Sequence, residues 1–509
     1  MAQRKFLTEM TGLPPADPAI ALSDETAARH VPSSYVPRVA RNTLVQSFAG
    51  IFSRVVGLLF IILIARRLGD ESLGAYRLAI TYIGYFSVIA TFGLGPFLVR
   101  EMSANLNGAY RVFAGVNILR VTLAILCGVT ILGTLPLLKY NSQVNLLIVV
   151  YSIIVLTGVL IDTNTNVFFA YQRMDLGLYI LIAGSIFYLG LGWLALGLGG
   201  VLGVAIAGVV TTVFQCILGF YLINRYLFRI RVEFDWKHQL SIIATGVPFF
   251  VGGIASFYND KVDVFLLSQL STFQVIGWYS AAYLILDVSK IVPVALATAI
   301  YPVLAAKYRL GQKELDRTIR AGVRAMLLIT CLIPAIIVPT TGEIIKIMFG
   351  PKFSQSVIPL QLVIGSVIFY GLNYIVGSAI FAANGQRPLM VVNFLILAVN
   401  LGMNFWLIPL YAHIGASLAT IGSYSAGTLM HLALARRLGI SSGLPLVLLR
   451  PGLAALVAGI AAFLLLQVSW LVSVSGGTVA YIVVLWILRE IGPDDFKLVR
   501  RLLSTGSGS

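Results

Sequence analysis

Charged residues are scarce in this chain. They make up 11% of its 509 residues, whereas soluble domains carry about 25%. Apolar residues make up 58% of the sequence. A chain of this composition does not have enough polar surface to cover itself in water, so we expect the lipid bilayer to be its solvent.

Cysteine and histidine are also rare, and this argues against metal, redox and disulfide chemistry. The three cysteines, Cys127, Cys216 and Cys331, fall inside apolar stretches without metal-ligand spacing, so we interpret them as small buried hydrophobic residues. The four histidines are scattered along the chain. There is no phosphate-binding glycine loop of the Walker type and no ATP-binding domain. The sequence therefore predicts no cofactor, no metal site and no enzyme activity, and any transport must run on gradients, membrane potential or mass action.

Acidic residues are outnumbered, with 20 Asp and Glu against 36 Lys and Arg and a net charge of +16. Such a balance could indicate a nucleic-acid partner. The basic residues, however, lie in short loops between apolar stretches and do not form one basic face. We therefore expect no nucleic-acid partner.

Apolar stretches long enough to cross a membrane as helices fill most of the sequence. The chain is predicted to be an all-α integral membrane protein with fourteen transmembrane helices. Their expected positions are 44–65, 75–99, 112–137, 144–170, 176–198, 200–223, 241–268, 276–303, 322–340, 356–383, 389–411, 414–436, 446–467 and 470–488.

The two ends of the chain differ from this pattern. Residues 1–43 are rich in proline, have no sustained apolar run, and are predicted to be a disordered or surface-lying cytoplasmic tail without the core of a cleavable signal peptide. Residues 491–509 are predicted to be a second cytoplasmic tail.

The distribution of basic residues predicts the orientation. Of the 36 Lys and Arg, 26 lie in the tails and the even-numbered loops, 5 in the odd-numbered loops and 5 within the spans or at their mouths. The positive-inside rule then places both termini in the cytoplasm, and the protein in the cytoplasmic membrane.

Two motifs recur in the same order about two hundred residues apart. Gly-x-Tyr-x-x-Ala occurs at 74–79 and at 277–282, and a second pair lies at 202–207 and 414–419. This register indicates duplication of a whole unit, as in many secondary transporters. We expect an N-lobe at 44–230 and a C-lobe at 231–440, each with six spans and related by an axis along the membrane normal. Residues 441–490 are then two additional spans.

Ionisable residues inside the spans are the candidate functional residues, because a charge in the membrane costs about 2.5–3.5 kcal/mol and usually faces a wet cavity or a partner. They concentrate in the first two helices of each repeat, where the lobes would face each other. The cations are Arg54, Arg77, Lys261 and Lys290, and the acids are Asp260, Asp263 and Asp287.

Each of these residues also has a structural interpretation. Asp287 and Lys290 are three residues apart and could neutralise each other, and Asp260, Lys261 and Asp263 could form a local ion network. Arg77 could extend to lipid headgroups. Two further charges are expected to be structural. Arg120 is predicted to reach the headgroups, and Asp162 to be satisfied by its neighbours Thr163, Asn164 and Thr165.

Several short segments resemble polysaccharide-type flippases of the multidrug/oligosaccharidyl-lipid/polysaccharide exporter superfamily. The likeness runs through roughly residues 40–490. The segments that carry it are Leu68-Gly69, Leu73-Gly74-Ala75-Tyr76, Arg100-Glu101, span 7 with Asp260 and Asp263, Ile276-Gly277-Trp278-Tyr279, Tyr301-Pro302 and Phe349-Gly350.

The resemblance implies a V-shaped pair of lobes around a cavity lined by spans 1, 2, 7 and 8, working by alternating access. It implies a polyprenyl-pyrophosphate-linked oligosaccharide as substrate, and a polysaccharide polymerase or glycosyltransferase as candidate partners. By position, Arg54, Arg77 and Lys261 are the candidates for binding the pyrophosphate. Asp260 and Asp263 are candidates for ion coupling, and Asp287 with Lys290 for an ion pair in the cavity.

Two other functions are weighed against a flippase. A multidrug exporter of the same superfamily usually has twelve spans, and its cavity for organic cations would favour acids over arginine. A membrane polymerase or glycosyltransferase would generally carry a sizeable extramembrane loop with catalytic residues, which this sequence lacks.

Overall fold

The computed structural model describes residues 35–231, 236–441 and 444–490, and within these ranges the chain is helical. Residues 1–34 of the N-terminal tail predicted for 1–43, and the whole C-terminal tail predicted for 491–509, lie outside the described residues. Sixteen α-helices, which we number in chain order, account for this part of the chain. They are α1 (Tyr35–Leu68), α2 (Asp70–Thr91), α3 (Gly95–Ala104), α4 (Ala109–Leu138), α5 (Ser142–Ala170), α6 (Met174–Tyr226), α7 (Trp236–Leu270), α8 (Phe273–Ser289), α9 (Ile291–Leu310), α10 (Gln312–Thr330), α11 (Leu332–Met348), α12 (Val357–Ile364), α13 (Ser366–Ala382), α14 (Gln386–Arg437), α15 (Leu444–Leu465) and α16 (Trp470–Ile487).

The predicted all-α membrane architecture is confirmed. Ten helical stretches within the described residues are long and apolar enough to cross a membrane. Helix α1 begins at Tyr35, before the expected boundary at 44, so the helix includes the last residues assigned to the N-terminal tail.

Two of the ten stretches are helical hairpins. In α6 the backbone leaves the helical region at Gly200, which has φ 54°. The Gln215 side chain donates to the Ile180 carbonyl at 3.4 Å. A straight helix would separate these residues by about 52 Å, so the segments before and after Gly200 run antiparallel.

Helix α14 repeats this arrangement. Its backbone breaks at Ala412, with φ 48°, and Asn400 on one arm donates to the Ser423 hydroxyl on the other at 3.0 Å. The breaks at Gly200 and Ala412 separate the spans expected at 176–198 and 200–223, and at 389–411 and 414–436.

The two copies of the Gly-x-Tyr-x-x-Ala motif contact each other directly. A Cβ atom on Gly74 would lie 1.8 Å from the carbonyl oxygen of Phe273, and one on Gly277 would lie 2.0 Å from that of Asp70. The start of α2 therefore packs backbone to backbone against the start of α8. Only glycine permits this approach, because any larger residue would overlap a backbone carbonyl. The reciprocal contact joins the first half of the chain (α1–α6) to the second half (α7–α14).

The last two helices pack on the second half of the chain. The Tyr481 hydroxyl of α16 donates to the Leu328 carbonyl of α10 at 2.8 Å. Glu490, which is buried just after α16, pairs with Arg324 at 2.6 Å and Arg450 at 3.3 Å. This cluster fixes the ends of α10, α15 and α16 together.

Candidate functional site

Four ionised side chains on α7 to α9 form one connected cluster. Lys261 pairs with Asp287 at 3.2 Å, Lys290 pairs with Asp260 at 3.4 Å, and Lys290 also lies 3.6 Å from Asp287. The ammonium of Lys290 is almost buried, with 7% of its side chain exposed, whereas the two carboxylates are about one third exposed. The structure thus brings together four of the residues predicted from the sequence. Both structural alternatives, a lone Asp287–Lys290 pair and a network within 260–263, are replaced by pairing between helices.

Tyrosine rings surround the Lys290 ammonium. It lies 5.0 Å from the ring centre of Tyr283, 4.9 Å from that of Tyr370 and 5.4 Å from that of Tyr424. The Tyr424 hydroxyl donates to Asp260 at 2.5 Å. Cation–π contacts and this hydrogen bond offset part of the cost of placing charge in the membrane. The tyrosines were not predicted as site residues, since they come from three different helices and no spacing links them.

The first half of the chain reaches the cluster through α2. The Tyr85 hydroxyl donates to the Lys261 carbonyl at 2.6 Å and so holds α7 against α2. Arg77 is partly buried on the same helix, and its Nε atom is buried without a hydrogen-bond partner among the described residues. Arg77 is therefore a cation of the first half with a donor to spare.

The remaining predicted residues lie apart from the ion cluster. Arg54 is exposed on α1. Asp263 is only 2% exposed. Its carboxylate accepts one hydrogen bond from the Tyr279 hydroxyl and another from the Val264 amide at 2.8 Å. We expected Asp263 in a wet cavity beside Lys261, but it is enclosed in protein.

Arg120 is the clearest correction to the sequence analysis. Its side chain is 1% exposed, pairs with Asp162 at 2.8 Å, and donates to the Thr163 hydroxyl at 2.8 Å and the Thr91 carbonyl at 3.0 Å. The prediction that Arg120 reaches lipid headgroups is therefore wrong. Asp162 is satisfied by this arginine and by Asn166 at 3.0 Å. The predicted neighbours do not satisfy it, because the hydroxyls of Thr163 and Thr165 donate to backbone carbonyls one turn earlier.

At one face of the molecule, hydrogen bonds join the two halves of the chain. We call the contacts of Asp70 and Arg66 with the second half the latch. Asp70 at the start of α2 accepts hydrogen bonds from Gln274 and Trp278 of the second half, both at 2.9 Å. Arg66 at the end of α1 donates to the Met348 carbonyl at 3.0 Å. These contacts lie on the side of loops 1, 7 and 9, close to the Gly74–Gly277 crossing. They hold the halves together at this face.

Each half encloses a cavity of about 450 Å³ in a corresponding position. The cavity of the second half lies between α7, α9, α13 and α14 and includes Asp260, Tyr370 and Tyr424 of the ion cluster. The cavity of the first half lies between α1, α2, α5 and α6. The duplicated arrangement of helices thus creates duplicated cavities, of which only one contains ionised residues of the cluster.

Known proteins share this fold. The "Lipid II flippase MurJ, inward closed conformation" is 17% identical, with a TM-score of 0.68 over 87% of this chain and 98% of that chain. The "Inward-facing conformation of a multidrug resistance MATE family transporter of the MOP superfamily" is 15% identical, with a TM-score of 0.65 over 76% of this chain and 95% of that chain.

Sequence comparison is more specific than the fold. A "Probable low-salt glycan biosynthesis flippase Agl15" from Haloferax volcanii is 23% identical over 200 residues, which are 39% of this chain and 42% of that protein. The matched part therefore spans less than half of that relative. The family model described as "Polysaccharide biosynthesis protein" matches residues 39–307, more than half of the chain. The chain therefore belongs to the polysaccharide biosynthesis protein family, and is a multi-pass membrane protein.

Proposed function

We propose that this transporter flips a polyprenyl-pyrophosphate-linked oligosaccharide across the cytoplasmic membrane for cell-surface polysaccharide synthesis. The observation that carries the proposal is the pairing of Lys261 and Lys290 with Asp287 at the junction of the two halves, where Arg77 of α2 has a buried donor without a partner among the described residues. Within the cluster the two lysines face the two carboxylates of Asp260 and Asp287, and Arg77 is the further cation on the facing helix. An arginine with an unused buried donor and lysines in a low-dielectric site are suited to phosphate oxygens.

The proposed architecture has fourteen spans. The ten candidate stretches include two hairpins, which makes twelve, and α1 and α7 add two more. We assign α1–α6 to an N-lobe (44–230), α7–α14 to a C-lobe (231–440), and α15 and α16 to the additional pair (441–490). The matched hairpins and the Gly74–Gly277 crossing support this parallel duplication.

The arrangement of the two halves supports alternating access. The latch at Asp70 joins the halves on the face of the odd-numbered loops, which the distribution of Lys and Arg assigns to the outside. In this state the substrate would enter from the cytoplasm, and opening of the latch would release it outside. Ion coupling is assigned to Asp260, whose carboxylate is partly exposed and contacts both Lys290 and Tyr424. Asp263 is the second candidate, and its enclosure makes it the weaker one. A polymerase or glycosyltransferase that uses the flipped product is the proposed partner.

The cation cluster is tested by binding of inorganic pyrophosphate to the purified protein in nanodiscs. Lys261→Gln is expected to weaken binding about tenfold, because one charge-assisted contact contributes about 1.5–3 kcal/mol. Arg77→Gln is expected to act similarly. The matched control is Arg100→Gln, because Arg100 is an exposed arginine outside the cluster that pairs with its neighbour Glu101 at 3.0 Å. Equal affinity in all four proteins would remove the cluster from the site.

A further inference from the structure

The cavity of the first half is a built site that the ion cluster does not use. It measures about 450 Å³, within the range of about 300–1,000 Å³ typical of small-molecule sites. It lies inside the bundle of α1, α2, α5 and α6, and its polar lining comes from hydroxyl and amide groups.

A buried hydroxyl in this cavity is poorly satisfied. Tyr151 is 3% exposed, and its hydroxyl lies beside that of Tyr76 but makes no hydrogen bond of good geometry among the described residues. The nearby hydroxyls of Tyr76 and Tyr188 lie 3.4 Å apart, at the long end of the hydrogen-bond range. An unsatisfied buried hydroxyl costs about 1–3 kcal/mol. Such a group in a cavity of this size indicates that a polar ligand completes it.

The ligand group in this cavity must be neutral. None of the described residues that line it is charged. A charged group buried there would lose its hydration without gaining a counter-ion, which is strongly unfavourable. The corresponding cavity of the second half differs in this respect, because Asp260 lines it.

The remaining lining fits a flat polar ring. Tyr151 and Tyr188 flank Gly208, where a Cβ atom would lie 3.5 Å from one ring and 3.7 Å from the other. Both tyrosines line the cavity. Aromatic rings supply apolar contact area, and Thr211 and Gln215 supply neutral hydrogen-bonding groups beside them. A sugar ring offers the complementary surfaces, with C–H faces and hydroxyl edges.

The cavity also adjoins one of the cations proposed to bind pyrophosphate. Tyr76 lines it and directly precedes Arg77 in the chain. Ile80 and Gly84, three and seven residues after Arg77, line it as well, so the lining continues along one side of α2 from the arginine. A phosphate held by Arg77 would therefore place an attached sugar within reach of this cavity.

We propose that the N-lobe cavity binds a neutral sugar of the lipid-linked glycan, while the ion cluster binds its pyrophosphate. This inference rests on the proposed function for the lipid-linked source of the sugar. In this assignment the first half of the chain binds the neutral sugar, and the junction between the two halves binds the charged pyrophosphate.

The test is photolabelling of the purified protein in nanodiscs. The probe is an N-acetylglucosamine that carries a diazirine and is linked through pyrophosphate to a short isoprenoid. We expect saturable labelling in 142–226, the segment that contains α5 and α6. Gly57→Leu is expected to reduce this labelling about tenfold, because Gly57 lines the cavity with open space around its Cβ position and leucine would fill that space. Gly133→Leu is the matched control, since Gly133 is exposed on α4, has equally open surroundings, and does not line the cavity.

A second variant keeps the test valid if Gly57→Leu misfolds. Tyr151→Phe removes only the poorly satisfied hydroxyl and is expected to lower labelling about threefold, the effect of one neutral hydrogen bond. Labelling that is unchanged in both Gly57→Leu and Tyr151→Phe would overturn the inference. Equal labelling by the free diazirine sugar would also overturn it, because a free saccharide would then be the ligand.

Competition by inorganic pyrophosphate separates the sugar-site proposal from the pyrophosphate-site proposal. If pyrophosphate binds the protein but 142–226 is not labelled, only the sugar site fails. If 142–226 is labelled without competition by pyrophosphate, only the phosphate site fails.

Discussion

Asp287 occupies the position at which the cations of the site converge. Lys261 lies 3.2 Å and Lys290 3.6 Å from its carboxylate. A carboxylate and a phosphate attract the same donors. In this account the Asp287 carboxylate occupies the donors that would otherwise bind phosphate. The phosphate of the substrate must therefore displace Asp287 from Lys261 and Lys290.

Removal of that competitor should tighten phosphate binding. Asp287→Asn keeps the shape of the side chain but not its charge, and is expected to raise the affinity for inorganic pyrophosphate about tenfold, or about 1.4 kcal/mol. Isothermal titration of the purified protein measures the change. Asp175→Asn is the control, because Asp175 lies outside the cluster and pairs with Arg173 at 2.9 Å. Weaker binding in Asp287→Asn would mean that the carboxylate positions Lys261 and Lys290 for the ligand.

At this scale the sequence identified the charged residues but not their partners. Lys261 and Asp287 are 26 residues apart, and Lys290 and Asp260 are 30 residues apart. Their pairing depends on how α7, α8 and α9 pack against one another. The spacing of residues along a single helix does not determine that packing. Arg120 was misassigned for the same reason, since its partner Asp162 lies on another helix.

At the scale of elements, glycine sets how closely helices approach. The crossing of α2 and α8 requires Gly74 and Gly277, because each faces a backbone carbonyl of the opposite helix. Hydropathy and length predicted the helices well, including the hairpin breaks near Gly200 and Ala412. The repeated motif revealed the duplication, but it could not show that the two copies contact each other.

Loosening this crossing should open the latched face. In Gly277→Ala the new methyl group would lie 2.0 Å from the Asp70 carbonyl oxygen, so α2 and α8 must move apart. We expect a loss of stability of about 1–3 kcal/mol. Faster amide hydrogen exchange is expected at the starts of both helices, 70–78 and 273–281.

The control for the crossing is Gly133→Ala, which adds the same methyl group where nothing lies within 4 Å. Hydrogen exchange measured by mass spectrometry distinguishes the two variants. Unchanged exchange in both segments of Gly277→Ala would show that the crossing does not hold this face closed.

At the scale of the whole molecule, the two halves meet at a charged centre and are joined at one face. The contacts of Asp70 with Gln274 and Trp278 must break for the site to open on that face. A substrate that spans the ion cluster and the N-lobe cavity contacts both halves, and can therefore favour one arrangement of them over the other. Family membership connects the chain to polysaccharide biosynthesis, and the chemistry of the centre is what points to pyrophosphate.

Translocation itself is the most direct test of this account. A fluorescent saccharide linked through pyrophosphate to a short isoprenoid is incorporated into both leaflets of proteoliposomes, and a membrane-impermeant reductant then quenches the outer leaflet. Vesicles with the wild-type protein are expected to lose nearly all fluorescence as the inner lipids are flipped outward. Vesicles with Lys261→Gln should lose little beyond the outer-leaflet share, and vesicles with Arg100→Gln should behave like the wild type. If wild-type vesicles lose only the outer-leaflet share, as protein-free vesicles do, the proposed flippase activity toward this substrate class is contradicted.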